Sequence, residues 1–163
     1  MSTQQPLLTL ATQVGEKLRA ENSYLVTAES CTGGGLGAAI TAVSGSSAWY
    51  YGGFITYSNV AKINLLNVDP ALIETFGAVS EPVAKAMAQG ALQYSHATIA
   101  FAITGIAGPT GGTDEKPVGT VCFALAKKNE RTQMFTQHFP GERAAVRHRA
   151  VVYGLNIILQ QSL

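Results

Sequence analysis

Leu7, Leu10, Val14 and Leu18 recur at three- and four-residue steps, which puts them on one face of an opening helix. Residues 24–28 read as a short buried strand. Past a cluster of glycines, residues 36–43 read as an alanine-rich helix stopped by Ser44-Gly45-Ser46-Ser47. Residues 54–57 read as a second strand, and Asn59 as the N-cap of a helix carrying Lys62 and Leu65.

Pro70 opens a brief helix that Gly77 ends. Ser80, Glu81 and Pro82 form a helix start: a capping hydroxyl, an acidic first turn and a proline whose missing N–H is harmless there. Val83, Met87, Ala91 and Tyr94 follow on one face. Residues 98–104 are almost wholly apolar, the pattern of a central strand buried on both sides. A glycine-rich loop spans 105–112. Residues 118–126 and 133–139 read as paired strands joined by a polar turn at Lys127-Lys128-Asn129-Glu130. The last helix begins near Gly141 and packs through Val146, Ala150, Tyr153 and Ile157. Helices alternating with strands and then a strand pair predict an α/β fold: one three-layer α/β/α domain over residues 1–163, with a mixed sheet.

Composition narrows the class. Hydrophobic residues make up 47% and charged residues 13%, against a usual charged share of about 25%. Too few charges to cover the surface predicts a homo-oligomer, with a dimer as the expected form. A formal net charge of +1 and no Lys/Arg-rich run give no electrostatic case for nucleic acid. Cys31 and Cys122 lie far apart and outside any CxxC pattern, which argues against a disulfide framework or zinc site and fits a reducing cytoplasm. No stretch approaches the ~18 apolar residues of a membrane span. Lys17 and Arg19 follow the leucines instead of preceding them, so no signal peptide is expected.

Candidate chemistry starts at Thr27-Ala28-Glu29-Ser30-Cys31-Thr32-Gly33-Gly34-Gly35, a strand that ends in a serine and turns through glycines into a helix. Ser30 or Thr32 could simply cap that helix. Alternatively, a strand-end turn presents its side chain at the sheet edge where open α/β folds bind ligands, and glycines leave N–H groups for an oxyanion. The GxSxG elbow is absent, because Ala28 stands where its first glycine would be. Lys62 falls at about the third position of its helix, where the dipole disfavours its charge and desolvation would favour the neutral amine that a base requires. It could equally be a solvated surface lysine. Tyr57 could be a core aromatic whose hydroxyl bonds Ser30 or Lys62.

His96, His138 and His148 are scattered without ligand spacing and read as surface or structural. Cys31 is the rival nucleophile, but neighbouring side chains at a strand end point apart, and burial as a small hydrophobe is favoured for it. The loop Thr104-Gly105-Ile106-Ala107-Gly108-Pro109-Thr110-Gly111-Gly112 is neither a Walker A loop nor GxGxxG. Its glycines form turns or permit close backbone approach. Arg143 and Arg147, four apart, share a face at the start of the last helix, where positive charge opposes the dipole unless an anion binds.

These stretches, with Gly45-Ser46-Ser47-Ala48-Trp49, Tyr57-Ser58-Asn59 before Lys62, Gly77-Ala78-Val79-Ser80-Glu81 and Lys116-Pro117-Val118-Gly119-Thr120-Val121, resemble the CinA C-terminal domain family in its single-domain form, over nearly the whole chain. That resemblance implies hydrolysis of the carboxamide of nicotinamide mononucleotide to nicotinic acid mononucleotide and ammonia, in salvage of pyridine nucleotides, without metal or other cofactor. It puts the nucleophile on Ser30, the lysine base on Lys62 and a catalytic tyrosine on Tyr57. Thr32, Gly33, Gly34, Ser47, Thr104, Gly105, Ala107 and Gly108 are expected around the substrate. Backbone N–H groups of residues 32–34 or 104–108 would bind the oxyanion, and Arg143, with Arg147, the 5′-phosphate. Two alternatives stand beside this: a non-catalytic nucleotide-binding domain on the same fold, and a serine amidase for another amide.

Overall fold

The computed structural model describes residues 4–161. In chain order the elements are α1 (Gln4–Ala20), β1 (Leu25–Glu29), α2 (Gly35–Thr41), a 3₁₀ turn (Ser46–Ala48), β2 (Tyr50–Ile55), α3 (Asn59–Leu66), α4 (Pro70–Phe76), α5 (Glu81–Gln93), β3 (Ile99–Gly105), β4 (Thr120–Lys127), β5 (Gln133–His138) and α6 (Arg143–Gln161). The five strands form one sheet in the order β2-β1-β3-β4-β5. β1 runs parallel to β2 and β3, while β4 and β5 are antiparallel additions. The mixed α/β architecture is the expected one.

Large and small side chains alternate along the central strands. Leu25, Ile99, Phe101, Ile103, Val121, Phe123 and Leu125 face α1, α2 and α6. Ala28, Ala100, Ala102, Ala124 and Ala126 face the layer built on α5, with α3 and α4. Bulk on one side fills the space beneath three helices, and alanine on the other lets α5 lie close to the sheet. Close approach recurs between helices: a Cβ on Gly90 of α5 would overlap the Leu66 carbonyl oxygen at the end of α3.

Three local readings are corrected. β2 starts at Tyr50 instead of residue 54, because Gly52 and Gly53 blank out the alternation. A side chain on Gly53 would collide with Thr27 Oγ1 and Tyr50 Oη. The N-cap of α3 is Ser58, whose hydroxyl accepts from Ala61 N, and Asn59 is the first helical residue. Tyr94 sits at the C-cap of α5 and is exposed, since the helix ends before it can share the buried face of Val83, Met87 and Ala91. Tyr153 lies on the packing face of α6 as expected, half-buried against Phe123 and Phe139. The capping by Ser80, Asp69 and Gly77 follows the residue types. Among the described residues no helix is long and apolar enough to cross a membrane.

Candidate active site

β1 and β2 run parallel, so their C-terminal ends open on the same edge of the sheet, next to the end of β3. Three connections leave from that edge. The chain after β1 turns through Ser30 and residues 31–34. Gly33 (φ 58) and Gly34 (φ 102) are in the left-handed region that favours glycine. The chain after β2 enters α3, and the chain after β3 enters the 105–112 loop.

The first turn is held by Glu29. Its buried carboxylate accepts from Thr32 Oγ1 at 2.6 Å, Leu36 N at 2.8 Å and Gly37 N at 3.0 Å. Gly34 caps α2 without a side chain, so the strand-end carboxylate supplies the missing acceptor at the positive end of that helix. Ser30 N donates to Ile103 O and Gly33 N to Ser30 O. The serine is thereby tied to β3 and to its own turn.

Lys62 reaches Ser30 from α3. Its Nζ lies 2.9 Å from Ser30 Oγ, 3.0 Å from Thr56 O and 3.5 Å from Tyr57 O. The residue is 1% exposed, and among the described residues no carboxylate faces the amine. Desolvation therefore lowers its pKa from 10.5. The first turn of α3 adds the positive end of a helix dipole, which also disfavours the ammonium.

Ser30, Tyr57, Lys62, Thr104, Gly105, Ala107 and Arg143 line one cavity of about 250 Å³. Cys31, the rival nucleophile, completes its wall with Asn59, Ala78 and Val79, which were not expected in the site. Ala78 and Val79 are held there because Thr104 Oγ1 donates to Ala78 O at 2.9 Å. Gly105 has no room for a side chain: a Cβ would stand 2.8 Å from Val121 Cγ2 and 3.0 Å from Cys31 Sγ. Ser30 and Cys31 both border the cavity, but Cys31 is buried as a member of the hydrophobic core cluster, as expected. Burial pushes the Cys31 thiol up to about 12, which leaves it protonated and a poor nucleophile.

Other expected positions lie elsewhere. Thr32, Gly33 and Gly34 form the turn behind Ser30, outside the cavity wall. Ser47 belongs to the 3₁₀ turn before β2, at the opposite end of the parallel strands from Ser30. The topology separates the two within this chain. Tyr57 is 60% exposed. Its phenol accepts from Arg143 Nη2 at 2.9 Å, and the backbone carbonyl, not the phenol, faces Ser30 and Lys62. Arg143 Nη1 donates to Gly108 O at 2.9 Å, across the cavity mouth. Arg147 turns to Cys31 O and Thr32 O, at 3.1 and 3.2 Å.

None of the three histidines lines the cavity. His96 meets Tyr51 edge-on, and His138 and His148 are exposed. Among the described residues no group of three or more His, Cys, Asp or Glu side chains could hold a metal ion. A hydroxyl hydrogen-bonded to a desolvated amine at a cavity is an arrangement suited to nucleophilic attack on a carbonyl carbon.

Residues 7–162 match the model of the CinA C-terminal domain. The chain is 47% identical over 161 residues to the nicotinamide-nucleotide amidohydrolase PncC of Escherichia coli, covering 99% of this chain and 98% of that protein. A CinA-like protein of Mycobacterium tuberculosis is 54% identical over 134 residues, 82% of this chain but 31% of that longer one. Among solved structures, the competence/damage inducible protein CihA of Agrobacterium tumefaciens superposes with a TM-score of 0.91 at 40% identity, over 95% of this chain and 96% of that one.

Proposed function

The chain belongs to the CinA C-terminal domain family, and from that premise we propose that it hydrolyses the carboxamide of nicotinamide mononucleotide, with Ser30 as nucleophile and Lys62 as general base. The observation that carries the mechanism is the 2.9 Å contact between Lys62 Nζ and Ser30 Oγ on a lysine that has no carboxylate partner. The substrate rests on the similarity to proteins named nicotinamide-nucleotide amidohydrolase.

A neutral amine has two hydrogens and one lone pair. The carbonyls of Thr56 and Tyr57 are placed to accept the hydrogens, which aims the lone pair at the Ser30 hydroxyl. Lys62 takes the Ser30 proton as Oγ adds to the carboxamide carbon. The lysine then returns that proton to the departing nitrogen, which leaves as ammonia. Water hydrolyses the acyl-enzyme, giving nicotinic acid mononucleotide and free Ser30. Backbone N–H groups of residues 32–34, or of the 104–108 loop whose Ala107 borders the cavity, receive the oxyanion. Arg143 at the mouth meets the 5′-phosphate, exchanging its contacts with Tyr57 and Gly108 for the anion. The pyridinium charge of the substrate makes its carbonyl electrophilic without help from the protein.

On this reading residues 1–163 act as one amidohydrolase domain, in the cytoplasm and as a homodimer. Ammonia release by the purified chain, over nicotinamide mononucleotide, nicotinamide and unrelated amides, is the test. Turnover that favours the nucleotide supports the reading. Thermal stabilisation by the nucleotide without ammonia makes the domain a binding module, and preference for another amide reassigns the substrate.

A further inference from the structure

Arg143 and Arg147 are one helical turn apart on the same face of α6, yet they do different things. Arg143 borders the cavity. Arg147 does not: Nε donates to Cys31 O at 3.1 Å and Nη2 to Thr32 O at 3.2 Å. The guanidinium fork is thus committed to the two residues that follow Ser30. We propose that Arg147 is a positioning residue, which fixes the Ser30 turn from the α6 side and does not reach the substrate.

The turn needs such a restraint. It contains two left-handed glycines, the most permissive backbone available. From the α2 side the Glu29 carboxylate takes the donors of Thr32, Leu36 and Gly37. From the α6 side Arg147 takes the carbonyls of residues 31 and 32. A trans peptide is planar, so pinning both carbonyls also fixes the N–H groups of Thr32 and Gly33. A carboxylate and a guanidinium on opposite sides leave the turn little freedom to swing Ser30 Oγ away from Lys62. Planar geometry matters here, because a lysine in place of Arg147 offers a point charge without the two-pronged fit.

This role rests on Ser30 as the nucleophile, so its test reads the serine directly. The full chain and its Arg147→Met, Arg147→Lys and Arg143→Met variants are treated with an alkyl fluorophosphonate, which labels an activated serine without needing the substrate. In parallel, kcat and KM are measured for nicotinamide mononucleotide. Loss of alignment near 1 Å costs up to about 100-fold. Arg147→Met should therefore label about 10–100-fold more slowly and lose kcat by a similar factor, with KM within about twofold. Arg147→Lys should recover part of both, and Arg143→Met should instead raise KM. Unaltered labelling in a folded Arg147→Met, or a change confined to KM, overturns the proposal. If that variant does not fold, the same criteria apply to Arg147→Lys. An unaltered chain that neither labels nor releases ammonia removes the Ser30 reading itself, and the role of Arg147 with it.

Discussion

The Tyr57 phenol and the Arg143 guanidinium meet at 2.9 Å at the mouth of the cavity, on the far side of the Tyr57 backbone from Lys62. A tyrosine from the strand end and an arginine from the last helix therefore form one unit. That unit borders the same cavity as the serine–lysine pair.

Arg143→Ala should raise KM for nicotinamide mononucleotide while leaving turnover of free nicotinamide unchanged, because only the nucleotide offers a phosphate. Equal losses for both would remove the phosphate role. Tyr57→Phe deletes the acceptor for Nη2 but keeps the backbone carbonyl. It should shift KM in the same direction with kcat retained; a collapse of kcat alone would restore the phenol to the chemistry.

Ser30→Ala should abolish measurable ammonia release, and Cys31→Ala should leave most of it. Both residues border the cavity, but Cys31 is buried in the core, and burial pushes its thiol up to about 12. The reverse pattern would make the cysteine the nucleophile.

The acidic limb of kcat/KM should follow Lys62. Activity rises with pH through a midpoint below 10.5 and then levels off, since the folded pKa is lowered. Stability carries the same sign. Between the folded pKa and 10.5 the unfolded chain binds the extra proton, so folding gains as pH rises through that window and loses as pH falls through the folded pKa. Relative to Lys62→Met, the unaltered protein should gain thermal stability towards alkaline pH. A difference in Tm that does not vary with pH would contradict a depressed Lys62.

Glu29→Gln keeps the shape of the side chain but turns one acceptor oxygen into a donor facing N–H groups. The expected cost is roughly 1–3 kcal/mol of stability, the scale of an unsatisfied buried group. Chemical denaturation would measure it, and an unchanged midpoint would mean that Glu29 does not hold the turn.

Gly90→Ala tests packing away from the site. Its Cβ would overlap Leu66 O, and overpacking of this kind costs about 1–3 kcal/mol. Denaturation should reveal that loss while kcat of the folded fraction stays the same.

Much of this was legible because helix starts announce themselves in residue types. Ser80 before Glu81 and Pro82, and Pro70 with Gly77 at the two ends of α4, give helix starts and stops directly. The Ser30–Lys62 pair was legible for a related reason: each lies just past a strand that ends in a turn into a helix. Side-chain direction beyond a strand end was not. Tyr57 is placed by Arg143, 86 residues later in the chain, and Arg147 by the turn 116 residues before it. Glu29 escaped notice because a carboxylate inside a buried strand explains itself only once α2 is seen to lack a capping side chain.

The alternation of bulk and alanine along β3 and β4 also guards against misfolding. Slipping β3 by one position would drive Ile99, Phe101 and Ile103 into the layer where α5 leaves room only for methyl groups, and would leave voids under α6. A strand buried on both faces ordinarily carries little information about which way round it belongs. Here the size difference supplies it: a wrong pairing fails on both faces at once, so the register that places Ser30 at its edge is fixed by residues outside the site.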